Sequence, residues 1–132
     1  MGRRLILDTS LLIEYERGRI NGEGLGMKSD DIAIAAITVA EFQEGVLRAD
    51  TPDRAAARKL FLDTLLAHAK VLDYTASTAA AHAKLLAYTH AAGLTRGAHD
   101  LIIAAHAVET GRLIATKDFH AKFADLPQVT SA

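Results

Sequence analysis

"LILDTSLLIEYERG", Leu5 to Gly18, joins an apolar triplet to an amphipathic run through a single aspartate. Leu5-Ile6-Leu7 has the continuous apolar character of a short buried strand. Leu11, Leu12 and Tyr15, spaced three or four apart, have the period of a helix that buries one face. Asp8 therefore stands where a strand passes into a helix. Alone it reads as an N-cap, because a carboxylate accepts hydrogen bonds from the orphan N–H groups of a first turn. The rest of the chain decides whether that role is sufficient.

The same alternation continues outward. "DIAIAAI", Asp31 to Ile37, predicts a second strand covered on both faces, and "TVAEFQEGVLRAD" switches to helical spacing with Val39, Phe42, Val46 and Leu47 on one side. Thr51-Pro52 ends that helix and opens another, from Asp53 to about His68, since proline is tolerated in a first turn. "KVLDY" predicts a third strand. Helices follow from Ala76 to Ala92 and from Ala98 to Thr110, closed by Gly93 and Gly111. "RLIAT" predicts a fourth strand and "QVTS", Gln128 to Ser131, a short edge strand. Alternation of this kind predicts an α/β fold, one domain over residues 1–132, with a mostly parallel central sheet and helices on both faces. The glycine-rich Gly18 to Lys28 stretch reads as a surface loop and lacks the GxxxxGK[ST] pattern of a phosphate loop.

Composition narrows the function classes. Of 132 residues 50% are hydrophobic and 5% aromatic, so the core is aliphatic and alanine-rich. The absence of cysteine removes disulfides and thiolate nucleophiles. Arg3-Arg4 precedes an apolar run, but Asp8 and Glu14 interrupt it before a signal-peptide core forms, and no run is long enough for a membrane span. The expected location is the cytoplasm, with no membrane partner. A net charge of −1 gives no global field for nucleic acid, so any such contact is local or metal-assisted.

Four carboxylates fall near helix starts or strand ends: Asp8, Glu41, Asp100 and Asp118. Each has a structural alternative. Thr38-Val-Ala-Glu41 fits a capping box, Asp100 complements a helix dipole, and Asp8 and Asp118 fit N-caps. If all four meet at the carboxyl edge of the sheet, their mutual repulsion calls for a cation. Hard oxygen donors select Mg²⁺ or Mn²⁺, which take further ligands from substrate phosphates. Arg96, just ahead of the Asp100 helix, and Lys117, beside Asp118, are candidate contacts to substrate phosphates, with a solvated surface charge as the alternative for each. His99, adjacent to Asp100, is a candidate phosphate contact, but neighbours on a helix do not share a face, which favours a structural role. The other five histidines make no HExxH pattern, so zinc is not expected.

"LILDTSLLIEY", "AITVAEFQEGV", "GLTRGAHDLIIAAHA" and "LIATKDFHAKFADLPQV" together resemble a PIN domain of the VapC type, the toxin half of a toxin–antitoxin pair. The resemblance runs almost end to end. It implies a metal-dependent endoribonuclease with a catalytic quartet of Asp8, Glu41, Asp100 and Asp118, Mg²⁺ (or Mn²⁺ in its place) held by Asp8, Asp100 and Asp118, and hydroxyls from Thr9 or Ser10 and from Thr116 beside the site. It further implies an RNA substrate and a small antitoxin, whose expected cradle lies between the first helix and the pair spanning Val39 to His68, where Leu11, Leu12, Phe42, Val46, Leu60 and Phe61 supply apolar surface. A homodimer is expected through the alanine-rich helix, where Ala83, Leu86, Ala87 and Ala91 permit close packing. Two alternatives are a receiver-like signalling module and a catalytically silent PIN-like binding domain.

Overall fold

The computed structural model describes residues 2–18, 30–116 and 123–130. The elements run β1 (Arg4–Leu7), α1 (Thr9–Glu16), β2 (Asp31–Ala35), α2 (Ala36–Leu47), α3 (Pro52–His68), β3 (Lys70–Leu72), α4 (Ala76–Ala92), α5 (Ala98–Thr110) and β4 (Leu113–Ala115). A short 3₁₀ turn, Phe123–Asp125, follows. The strands form one parallel sheet in the order β3-β2-β1-β4. The expected α/β architecture is present, and among the described residues no helix is long and apolar enough to cross a membrane.

Successive strand side chains face opposite ways, and this divides the core. Ile6, Ala35 and Ile114 face a cluster with Leu85, Leu101 and Ile103 from α4 and α5. Leu7 and Ile34 face Leu11, Leu12, Phe42 and Leu62 from α1, α2 and α3. β1 and the carboxyl half of β2 are therefore covered on both faces, which is why they read as continuous apolar runs, whereas the edge strand β3 is largely exposed.

The helix punctuation follows local chemistry. Thr51 Oγ1 accepts from Arg54 N at 3.1 Å, with Pro52 opening α3. Thr75 and Thr78 form a reciprocal capping box on α4. Gly93 and Gly111 close α4 and α5 at φ of 67° and 66°, the left-handed region that glycine enters without a Cβ penalty.

Several element ends differ from the sequence expectation by one to three residues, and two departures have a clear physical cause. β2 stops at Ala35 and α2 begins at Ala36, so Ala36 and Ile37 are helical. Ile37 packs on the same core as the strand, and an unbroken apolar run carries no mark of where the backbone changes. "QVTS" makes no strand among its described residues: Gln128 has φ 63°, and Thr130 O accepts one bond from Ile114 N at 2.9 Å. Ser131 and the loop residues 19–28 lie outside the described residues.

At the amino edge of the sheet Arg112 is buried, its side chain 1% exposed. Its Nη1 donates to Leu5 O at 3.2 Å, Asp31 O at 2.9 Å and Asp31 Oδ1 at 3.2 Å. This guanidinium, bonded principally to the Asp31 side chain, holds the Asp31 carboxyl below its usual range. The amino edge is thus occupied by a structural ion pair, and the carboxyl edge is left for the candidate site.

Candidate active site

Asp8 occupies the N-cap position of α1, but its side chain makes no cap bond. Its backbone N donates to Ala115 O at 2.9 Å, continuing the ladder with β4, while its backbone O accepts from Leu11 N and Leu12 N. The residue as a whole is 2% exposed. Ser10 Oγ and Thr116 Oγ1 both donate to Asp8 Oδ2, each at 2.7 Å. Asp8 is therefore oriented by two hydroxyls from opposite ends of the chain, which is a different task from capping.

Glu41 is likewise not a capping residue. The backbone N-cap of α2 is Ala35, which places Thr38 inside the helix rather than before it, and no side-chain cap bond forms. Thr38 is fully buried, its Oγ1 3.2 Å from Thr9 Oγ1. Thr9 Oγ1 donates to Glu41 Oε1 at 3.2 Å. The capping-box alternative for Glu41 is corrected by this register: the helix starts earlier than the TxxE spacing requires.

His99 Nδ1 lies 3.3 Å from the same Glu41 Oε1. Thr9 and His99 are the chain neighbours of Asp8 and Asp100, so contacts on one oxygen tie three helix starts and their carboxylates to one edge. Asp100 sits in the first turn of α5, folded back over the N-cap Gly97: an ideal Cβ on Gly97 would fall 3.1 Å from Asp100 Oδ2. His99 is the residue whose contact the sequence did not reveal. Its proximity to Glu41 is a tertiary fact with no local signature.

Arg96 goes elsewhere. Its side chain is 7% exposed, Nη2 lies 3.2 Å from Asp125 Oδ2, and Nη1 donates to Thr95 O at 2.8 Å. The guanidinium expected at an RNA phosphate is thus paired, in this structure, with Asp125, whose side chain is 56% exposed. Lys117 and Asp118 lie outside the described residues, and among the described residues no three His, Cys, Asp or Glu side chains form a metal cage.

Beside Glu41 and His99 opens a groove of about 870 Å³ between α1, α2 and α3. Ile13, Ile37, Phe42 and Phe61 line its apolar part, and Arg17, Arg54 and Arg58 are among its polar residues. The Phe61 ring packs 5.6 Å from both Tyr15 and Phe42. Of the residues expected in a partner cradle, Leu11, Leu12 and Phe42 belong to the core, whereas Leu60 is 69% exposed.

A match to the PIN domain family runs from residue 5 to residue 127, nearly the whole of this fold and all three described carboxylates. The chain belongs to the PIN domain family. This PIN domain is 26% identical over 117 residues to ribonuclease VapC2 of Rickettsia felis, covering 86% of this chain and 85% of that one. A chain in the crystal structure of VapBC2 from Rickettsia felis bound to a DNA fragment from their promoter superposes with a TM-score of 0.85 at 25% identity, covering 98% and 97% of the two chains. A chain of VapBC-5 from Mycobacterium tuberculosis, a member of the VapBC family of toxin–antitoxin systems, gives a TM-score of 0.73 at 29% identity, covering 89% of this chain and 86% of that one. The receiver-like alternative falls away with family membership; the silent PIN-like alternative is decided by metal binding and catalysis.

Proposed function

We propose that this PIN domain is a divalent-metal-dependent endoribonuclease and the toxin of a type II toxin–antitoxin pair. The observation that carries the reading is Asp8: an acidic residue at a strand's carboxyl end, 2% exposed, whose side chain caps no helix and whose Oδ2 is held by two neutral hydroxyls. Among the described residues its side-chain partners are hydroxyls, and burying a carboxylate in that way is unfavourable unless a cation compensates it. The donor set is all hard oxygen, which suits Mg²⁺, with Mn²⁺ as substitute; such an ion keeps several waters and needs only one or two protein carboxylates.

Asp8, Asp100 and Asp118 would hold the ion, directly or through its waters. Bound there, it would activate a water towards a scissile phosphodiester and offset charge on the leaving oxygen. Ser10 and Thr116 keep Asp8 in one orientation, Thr9 does the same for Glu41, and Glu41 orients the attacking water. Lys117 is assigned to an RNA phosphate. Attack by water rather than by the ribose 2′-hydroxyl leaves 5′-phosphate and 3′-hydroxyl ends.

The named relatives support a small antitoxin as partner, and the groove between α1, α2 and α3 is the place assigned to its tail, in the cytoplasm. A basic side chain from that tail among the carboxylates would replace the metal's charge and exclude substrate. Ala83, Ala87 and Ala91 are exposed along α4, which supports the assigned homodimer.

The test is cleavage of RNA by the purified chain with Mg²⁺, with Mn²⁺ and with chelator, beside Asp8→Asn. Metal-dependent cleavage with the stated ends, lost in Asp8→Asn, is expected. Cleavage indifferent to chelator, or full activity of Asp8→Asn, overturns the reading. For the toxin assignment, co-expression with the adjacent small gene should give a complex that has lost nuclease activity. For the dimer, a mass near 14.1 kDa by light scattering counts against it.

A further inference from the structure

Glu41 Oε1 receives two groups from two other helices, Thr9 Oγ1 at 3.2 Å and His99 Nδ1 at 3.3 Å. Thr9 is itself tied to the fully buried Thr38. The result is a chain of contacts, Thr38 to Thr9 to Glu41 to His99, that crosses α1, α2 and α5. Its outer member is 52% exposed and Glu41 is 35% exposed. A contact between two such side chains adds little to stability, since solvent screens it and ordering long side chains opposes it. Its effect is geometric: Glu41 has three side-chain torsions, and partners on both sides of one oxygen restrict where the second oxygen points.

We infer that His99 is a positioning residue for Glu41, holding that carboxylate in its working orientation. The inference rests on the nuclease reading, for it supposes that Glu41 acts on the attacking water. His99 sits at the helix start that carries Asp100 and Glu41 in α2, so the contact lies between the elements that carry the two carboxylates. A competing role is open to a half-exposed histidine at the mouth of a groove, namely direct contact with an RNA phosphate. The two roles differ in kinetics: a positioning residue acts on kcat, whereas a ground-state phosphate contact acts on KM.

The experiment compares His99→Ala and His99→Asn with the wild-type chain on one RNA substrate with Mn²⁺. Asn carries an amide nitrogen close to the place of Nδ1. The expected result is a fall in kcat of about ten- to hundredfold in His99→Ala, the range seen when an outer partner of a catalytic carboxylate is removed. KM and the melting temperature should stay near wild type, and His99→Asn should recover most of the rate. A second measurement needs no catalysis: the His99 ring resonances should move in Glu41→Gln, reporting the contact in the metal-free protein. Unchanged kcat in His99→Ala, a rise in KM alone, no advantage of Asn over Ala, or unmoved ring resonances would each overturn the inference while leaving the nuclease intact. A wild-type chain with no metal-dependent cleavage sinks the nuclease reading and the positioning role with it, a failure distinguishable because the ring resonances report the contact independently.

Discussion

Ser10 and Thr116 stand 106 positions apart in the chain, yet their hydroxyls lie 3.4 Å from each other and donate to one oxygen of Asp8. The pair is possible because β1 and β4 are neighbours, with Leu7 opposite Ala115. Thr116 follows β4 directly and Ser10 lies three residues past the end of β1, in the first turn of α1, so the parallel ladder and the start of that helix set their separation.

From this relationship, Ser10→Ala and Thr116→Ala should each lower metal-dependent cleavage by about ten- to hundredfold, as removal of an oriented partner of a metal ligand does. The double variant should lose less than the product of the two, because the hydroxyls share one acceptor. Rate measurements on the four-member cycle check this; strict additivity would mean that the two act separately.

Gly97 has φ −63°, a conformation open to any residue, so its lack of a side chain serves space rather than backbone freedom. With an added Cβ 3.1 Å from Asp100 Oδ2, Gly97→Ala should displace that carboxylate by a few tenths of an ångström. The loss of stability should be about 1 kcal/mol, since alanine is a poorer N-cap than glycine. Mn²⁺ affinity should fall by more than that stability change explains. Calorimetric titration of the two chains decides; equal affinities refute the steric account.

His106 is 1% exposed, its Nδ1 lacks a hydrogen-bond partner among the described residues, and Glu109 Oε2 stands 3.9 Å away. Burial outweighs the attraction of Glu109 and Asp73 and pushes its pKa below the ordinary 6.5. Below that value the unfolded chain binds a proton that the folded chain refuses. Stability is therefore complete above pH 6.5 and declines as pH falls towards the lowered pKa of the folded state. Urea unfolding at about pH 7.5 and about pH 5.5 should show a decline that His106→Gln reduces. An identical decline in the variant would assign it to other groups.

Arg112→Met should destabilise the fold by roughly 1–3 kcal/mol, because Leu5 O and Asp31 O lose a buried donor. Asp31 has its pKa held below 3.8 by Arg112, so its contribution is present above pH 3.8 and lost as pH falls further. The variant should lack that part of the acid transition. Nuclease activity at neutral pH, measured well below the melting temperature, should be unchanged, since Arg112 lies at the amino edge of the sheet. Selective loss of activity without loss of stability would contradict that separation.

Periodicity and punctuation are local properties, and they sufficed for the order of strands and helices. Apolar runs marked the doubly covered strands, Gly93 and Gly111 marked helix ends to the residue, and Thr51-Pro52 marked the start of α3. The carboxylates Asp8, Glu41 and Asp100 were legible as candidates because each sits near a strand end or helix start. Their roles were not. Asp8 and Glu41 each had an adequate local explanation as caps, and the register of α2 and the partners of Asp8 Oδ2 removed it.

Tertiary structure alone decided the contacts between residues far apart in the chain: Thr116 on Asp8, Thr9 and His99 on Glu41, Arg112 on Asp31, and Arg96 turned to Asp125. Pairing β1 with both β2 and β4 brings their carboxyl ends together, and nothing in the neighbourhood of His99 announces that Glu41 will lie opposite. Sequence determines which residues have the chemistry for a site. Strand pairing and helix register determine which of them meet, because a side chain's partner depends on the path of the whole chain.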